Sequence, residues 1–145
     1  MNKYRIMGLL IVILLMTSCA VKYVADYDQT TLNKIIDISK QVDLFYLTVL
    51  DLESTERNFE NFTQSYKEIE VELRSLVMIN KLRPLNEDST KIAEQILEFW
   101  IKYKTKHNEK NSYSNAQLKI HQKRFNRLFT AMAIGETLKQ NDAKE

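Results

Sequence analysis

Apolar residues recur every three or four positions in four stretches of the chain, with polar segments between them, and each stretch predicts an amphipathic helix. The first starts near Asp28 to Thr31, where polar residues suit an N-cap. It places Ile35, Ile38, Val42, Phe45, Val49 and Leu52 on one seam, widened by Leu32, Ile36, Tyr46 and Leu50. Glu53 to Asn58 is wholly polar. A second seam begins near Phe59 and runs through Phe62, Tyr66, Ile69, Leu73, Leu76 and Asn80, out of phase with the first. The slip around residues 53–62 predicts a turn. The alternative is one bent helix reaching about residue 82, since no Gly or Pro forces a break there. Arg83-Pro84 ends the second helix, because proline lacks a donor and disfavours helix in the residue before it.

Asn86 or Ser89 then caps a third helix, whose seam reads Leu85, Ser89, Ile92, Ile96, Phe99 and Tyr103, broadened by Trp100 and Ile101. Tyr103 to Ser114 turns polar, and Asn108, Asn111 and Ser112 suit a loop. A fourth helix follows from Ser114 or Asn115 to Leu138, on a seam of Leu118, His121, Phe125, Leu128, Met132 and Gly135, with Phe129 beside it. Four such stripes on short connections predict an all-α, up-down-up-down four-helix bundle over residues 28–140, with a frayed tail at 141–145. A three-helix bundle follows if the first two helices merge.

The residues before the bundle have a different character. Met1-Asn2-Lys3-Tyr4-Arg5 is a short basic head, and Ile6 to Met16 is apolar throughout apart from Gly8. Thr17 and Ser18 are small, and Cys19 is the single cysteine of the chain. A basic head, a short apolar run and small residues before a cut mark a secretory signal over residues 1–18. Eleven apolar residues make only about 16 Å of helix, about half a bilayer core, so a spanning anchor would need polar residues in lipid. Residues 19–27 then form a tether. Its Tyr23, Tyr27 and Lys22 suit either the headgroup region or the bottom of the bundle.

Leu15-Met16-Thr17-Ser18-Cys19-Ala20 resembles the lipobox of bacterial lipoprotein precursors, departing from it at Met16, where leucine is usual. The resemblance implies cleavage between Ser18 and Cys19, an S-diacylglyceryl group on Cys19 and acylation of its new N-terminus. Ala20, where an aspartate would imply inner-membrane retention, implies the periplasmic face of the outer membrane. Two or three acyl chains at about 0.8 kcal/mol per buried methylene make release negligible. With one cysteine, no intramolecular disulfide forms, so packing alone holds the fold.

Composition narrows the function classes. Without residues 1–18 the chain has 127 residues and carries 19 basic and 19 acidic side chains, too balanced for a nucleic-acid binder. One glycine, Gly135, and one proline, Pro84, remain, too few for a β-rich fold or a phosphate-cradling loop. A di-iron bundle needs Glu three residues before its histidines, and Lys104 and Leu118 hold those places before His107 and His121. No Gly-x-Ser-x-Gly turn or Cys-x-x-Cys-His site occurs. The chain therefore reads as non-enzymatic, with no cofactor, metal or small-molecule substrate.

Three polar features remain. His121 falls on a core seam, either as a neutral imidazole hydrogen-bonded to a tyrosine or carbonyl or as a pH-sensitive group. His107 sits among lysines in a last helical turn, where positive charge opposes the carbonyl dipole. Asn80 fixes register on its seam. Charge is uneven: eight acidic residues and two basic lie between Asp43 and Glu72, and eight basic and one acidic between Lys102 and Arg127. This marks either solvated faces that attract each other or a basic interaction surface made of Lys119, Lys123, Arg124 and Arg127. Asn61-Phe62-Thr63 matches a glycosylation sequon, without expected meaning in a bacterial lipoprotein.

Ala25-Asp26-Tyr27-Asp28, Arg83-Pro84-Leu85-Asn86 and the C-terminal amphipathic helix also resemble the small uncharacterised helical lipoproteins of Gram-negative bacteria. That resemblance implies location and fold without a known activity. The expectation is a membrane-anchored bundle presenting a helical surface to another envelope protein in an accessory or stabilising role. The alternatives are a plasmid- or phage-type exclusion or receptor-blocking lipoprotein, and a binder of anionic lipid or lipopolysaccharide.

Overall fold

The computed structural model describes residues 24–142, with side chains to residue 140. Ser18, Cys19, Tyr23 and the last three residues of the tail lie outside the described residues. Among the described residues four helices form: α1 (Gln29–Leu50), α2 (Thr63–Lys81), α3 (Glu87–Lys110) and α4 (Asn115–Asp142). α1 packs on α4 and α2, and α3 packs on α2 and α4, so the helices stand at the corners of a square in up-down-up-down order. One end of the bundle, here the base, holds the start of α1, the α2–α3 loop and the end of α4. The far end holds the other two connections.

Local chemistry explains the boundaries. Asp28 caps α1, its carboxylate accepting from the Thr30 and Thr31 backbone N–H groups and the Thr31 hydroxyl. The Thr31 hydroxyl, more than any other group, holds that carboxyl below its usual range. Ser114 and Gln117 form a reciprocal capping box at α4: Ser114 N–H donates to Oε1 of Gln117, whose own N–H donates to Oγ of Ser114. The turn between the first two helices is real, and it is longer than the hydrophobic rhythm implied. Short 3₁₀ turns occupy Ser54–Glu56 and Phe59–Phe62, so α2 begins at Thr63 and not at Phe59.

Three other expectations need correction. α3 continues to Lys110, because Tyr103 and His107 extend its buried stripe into the stretch that reads as loop. The stripe itself is Ala93, Ile96, Trp100, Tyr103 and His107, rotated from the expected one, with Ile92 and Phe99 at its margins and Leu85 exposed. Trp100 sets this rotation: it is fully buried, and its indole N–H donates to the Tyr66 carbonyl at 3.2 Å. In α4 the buried positions are Leu118, His121, Phe125, Phe129, Met132, Glu136 and Lys139. Phe129 and Glu136 replace Leu128 and Gly135, since two successive steps of four keep a 3.6-residue helix facing inward over its full length. Asn86 stands before α3 but its side chain does not cap it.

The core is zoned along the bundle. Toward the base it is aliphatic, with Ile35, Ile38, Leu73, Leu76, Ile96 and Met132. Toward the far end it is aromatic: Phe45 meets Tyr66 at 4.7 Å and Trp100 at 5.2 Å between ring centroids, and Tyr46 stacks on Phe125.

Among the described residues two non-glycine residues adopt left-handed backbone, Asn111 (φ 49°) and Leu85 (φ 58°). For Asn111 the conformation is inexpensive, and its side-chain oxygen accepts from Phe59 N–H at 2.8 Å. For Leu85 it costs about 1–2 kcal/mol.

Candidate interaction surface

Each end of the bundle is closed by a buried polar cluster, and the sequence reading missed both. At the far end Arg57 is buried and meets no carboxylate among the described residues. Its guanidinium donates to the carbonyls of Leu50, Leu52 and Tyr113 and to Oδ1 of Asn115 at 2.6–3.2 Å. A cation thus closes the carbonyl end of α1 and ties it to the α3–α4 loop. The carbonyl of Arg57 lies 2.8 Å from Nε2 of His107, and Nδ1 of His107 lies 3.0 Å from the Tyr66 hydroxyl. A carbonyl only accepts, so the neutral ring carries its proton on Nε2 and Nδ1 accepts from Tyr66. Burial holds this imidazole below its usual range, against the opposing pull of the Arg57 carbonyl. His107 is therefore a structural crosslink in the interior, and not the dipole-opposing surface cation its lysine neighbours imply.

His121 stacks face to face on Tyr103, with ring centroids 3.5 Å apart, and its Nδ1 is buried without a hydrogen-bond partner. The expected bond of this imidazole to a tyrosine or carbonyl is not made through Nδ1. Burial first, then the charges of Arg124 and Lys106, push its pKa down to about 4. Tyr113 donates its hydroxyl to the Tyr103 carbonyl at 2.6 Å, and burial pushes its own pKa up to about 12.

At the base the buried Glu136 accepts two bonds from Arg83 (2.9 and 2.7 Å), one from Lys139 (2.8 Å) and one from the Asp28 backbone N–H (2.8 Å). Burial opposes its charge, but Arg83 and Lys139 outweigh burial and hold the carboxyl below its usual range. Lys139 also donates to Asn86 and Ser89, and Asn86 donates to the carbonyl and side chain of Asn80. Asn80 thereby acts in the base lock, joining α2 to the start of α3. Ala25 is buried and its N–H donates to the Leu85 carbonyl at 2.9 Å, while Arg83 also bonds the Asp26 carbonyl. The segment read as a tether is therefore docked on the bundle from Ala25 onward.

The four basic residues proposed as one surface divide. Lys119, Lys123 and Arg127 are exposed on the side of α4 that borders α1, where a shallow groove also takes in Asp43, Gln122 and Asn126. Gln122 donates to Oδ1 of Asp43 at 2.6 Å, leaving the three cations outside that bond. Arg124 turns the other way: its guanidinium lies 4.8 Å from the Phe99 ring centroid and bonds the Tyr103 hydroxyl. Attraction between the acidic and basic segments is present as well, since Lys104 reaches Glu70 at 2.9 Å. Among the described residues no group of His, Cys, Asp and Glu has the arrangement of a metal site. No described helix is long and apolar enough to cross a membrane. Comparison with protein-family models, curated proteins and solved structures finds no match to this chain.

Proposed function

We propose that this chain is a lipid-anchored, non-enzymatic envelope protein that offers Lys119, Lys123 and Arg127 to an acidic face of another envelope protein. The anchor rests on the lone cysteine behind a short apolar run. The proposed location is the periplasmic face of the outer membrane. Its non-enzymatic character is supported by the two histidines: His107 is engaged at both nitrogens and His121 is sealed beneath Tyr103.

The observation that carries the choice of partner is the height of the basic triad. Arg127 and Lys119 precede Glu136, in the base layer, by nine and seventeen residues. At 1.5 Å per residue they stand about 14 Å and about 26 Å above it. The base is the end tied to Ala25, six residues from Cys19, and hence the end nearest the bilayer. Headgroup charge is screened over about 8 Å at physiological salt, so the triad lies beyond its reach. A protein surface beside the bundle is within reach, which favours a protein partner over anionic lipid or lipopolysaccharide.

The test places a photo-crosslinking amino acid at Asn126, exposed in the same groove, and captures neighbours in intact cells. A discrete crosslinked protein is expected, lost when Lys119, Lys123 and Arg127 are changed to Glu. Crosslinking only to lipid, or capture indifferent to the charge reversal, would sink the partner reading. Mass spectrometry finding Cys19 unmodified would sink the anchor.

A further inference from the structure

The two ends of the bundle differ in the side chains they show to solvent. The far end is built from Asp51, Glu53, Ser54, Thr55, Glu56, Asn111 and Ser112, all exposed and polar. The base shows Leu82, 76 % exposed, Leu85, 44 % exposed, and Val24, 40 % exposed, with Pro84 between the two leucines. Met78, 57 % exposed, continues this apolar edge one turn up α2, about 6 Å above Leu82.

Leu85 carries the argument. It holds a left-handed backbone that Gly or Asn would adopt at less cost, and it lies outside the apolar core. Its carbonyl accepts from Ala25 N–H, and any residue would supply that carbonyl. Its side chain nevertheless leaves 44 % of the residue exposed, and an apolar residue in a strained, exposed turn points to use of the side chain.

The length of chain outside the described residues identifies what covers it. Five residues separate Cys19 from Ala25, six steps that span at most about 20 Å even when fully extended. Acyl chains on Cys19 thus hold this end, and not the polar one, against the bilayer. We infer that Leu82, Leu85 and Val24 are seated in the interfacial layer of the membrane that holds Cys19, so that the bundle stands on its base. The inference rests on the reading of Cys19 as acylated. The 6 Å rise from Leu82 to Met78 matches the burial of about 5–10 Å typical of interfacial apolar surface. Glu87 and Asp88 at the start of α3 are also exposed at this end, so apolar insertion and not charge attraction drives the seating.

The experiment uses the full chain, exported and processed, carrying Leu82→Cys labelled with nitrobenzoxadiazole and held in vesicles of phosphatidylethanolamine and phosphatidylglycerol with spin-labelled lipid. Ser112→Cys marks the far end, and Val24→Cys gives a second basal position independent of the α2–α3 loop. Blue-shifted emission and several-fold stronger quenching at residues 82 and 24 than at 112, unchanged by added salt, are expected. One dye per chain with equal emission and quenching at all three positions would overturn the seating and leave the anchor standing. Two dyes per chain would show a free Cys19 thiol and overturn both.

Discussion

At the scale of single residues, Arg57 matters most to the fold and was least visible beforehand. It sits in the most polar hexapeptide of the connection, where an arginine ordinarily reads as solvated. Its value comes from three backbone carbonyls that only the folded chain brings together. Arg57→Ala is expected to destabilise by about 2–4 kcal/mol in urea unfolding, because buried acceptors lose their donors. Arg57→Lys recovers little of that, since an ammonium cannot serve carbonyls on two sides of a planar fork. Near-complete recovery with lysine would show that charge alone, without fork geometry, secures the far end. Gly135 gives the opposite case. It reads as a core position, yet it is only half-buried and a Cβ there meets nothing within 4 Å. Gly135→Ala is expected to raise stability by about 0.5–1 kcal/mol, measurable as a higher melting temperature.

His121 links residue chemistry to pH. Unfolded, its imidazole takes a proton near pH 6.5, and folded only near about 4. Between these values the unfolded state holds the extra proton, so stability falls as pH drops through that window. The loss for this residue is on the order of 3 kcal/mol. His107 acts in the same direction, and Glu136 adds its own loss at lower pH. His121→Gln is expected to flatten the slope of unfolding free energy between pH 6.5 and 4. An unchanged slope would remove His121 as a source of acid sensitivity.

At the scale of elements, periodicity located all four helices, and the ambiguous junction between the first two resolved as a turn. Asp28, Ser114 and Arg83-Pro84 marked boundaries because their signals are local: a cap and a missing donor act within one turn of helix. The rotated stripe of α3 and the drift of α4 were not legible. They depend on which side chain wins the centre, and Trp100 and Phe129 win by volume across helices that pattern reading cannot see together. Glu136 was hidden for the same reason, being a carboxylate whose partners lie on the α2–α3 loop and ahead of α1. Glu136→Ala is expected to cost about 3–5 kcal/mol by leaving the partly buried Arg83 and the buried Lys139 without their counter-charge. A loss under 1 kcal/mol would mean that water replaces the carboxylate at no penalty.

At the scale of the whole molecule, the proposed contact surface and the folding determinants occupy different residues. Lys119, Lys123 and Arg127 are exposed and outside both buried clusters, so replacing all three with Glu is expected to leave the melting curve nearly unchanged. Each substitution should move stability by no more than about 0.5 kcal/mol. Partner capture, by contrast, should weaken steeply as salt rises. A large drop in melting temperature for this variant would place the triad in the fold and discredit it as a dedicated surface. Three of the four predicted basic residues do share a face. Arg124 turns to the Phe99 ring instead, and helical spacing alone does not show which neighbouring helix offers an aromatic ring.

An even number of helices brings the chain back to the side from which it set out, and the bond from Asp28 to Glu136 joins the opening of the first helix to the close of the last. Under the proposed acylation of Cys19, a reporter fused beyond α4 would accordingly be crowded beside the lipid, whereas one inserted at Ser112 would project freely into the aqueous compartment. Epitope tags at these two sites should differ in antibody access for a reason unrelated to expression.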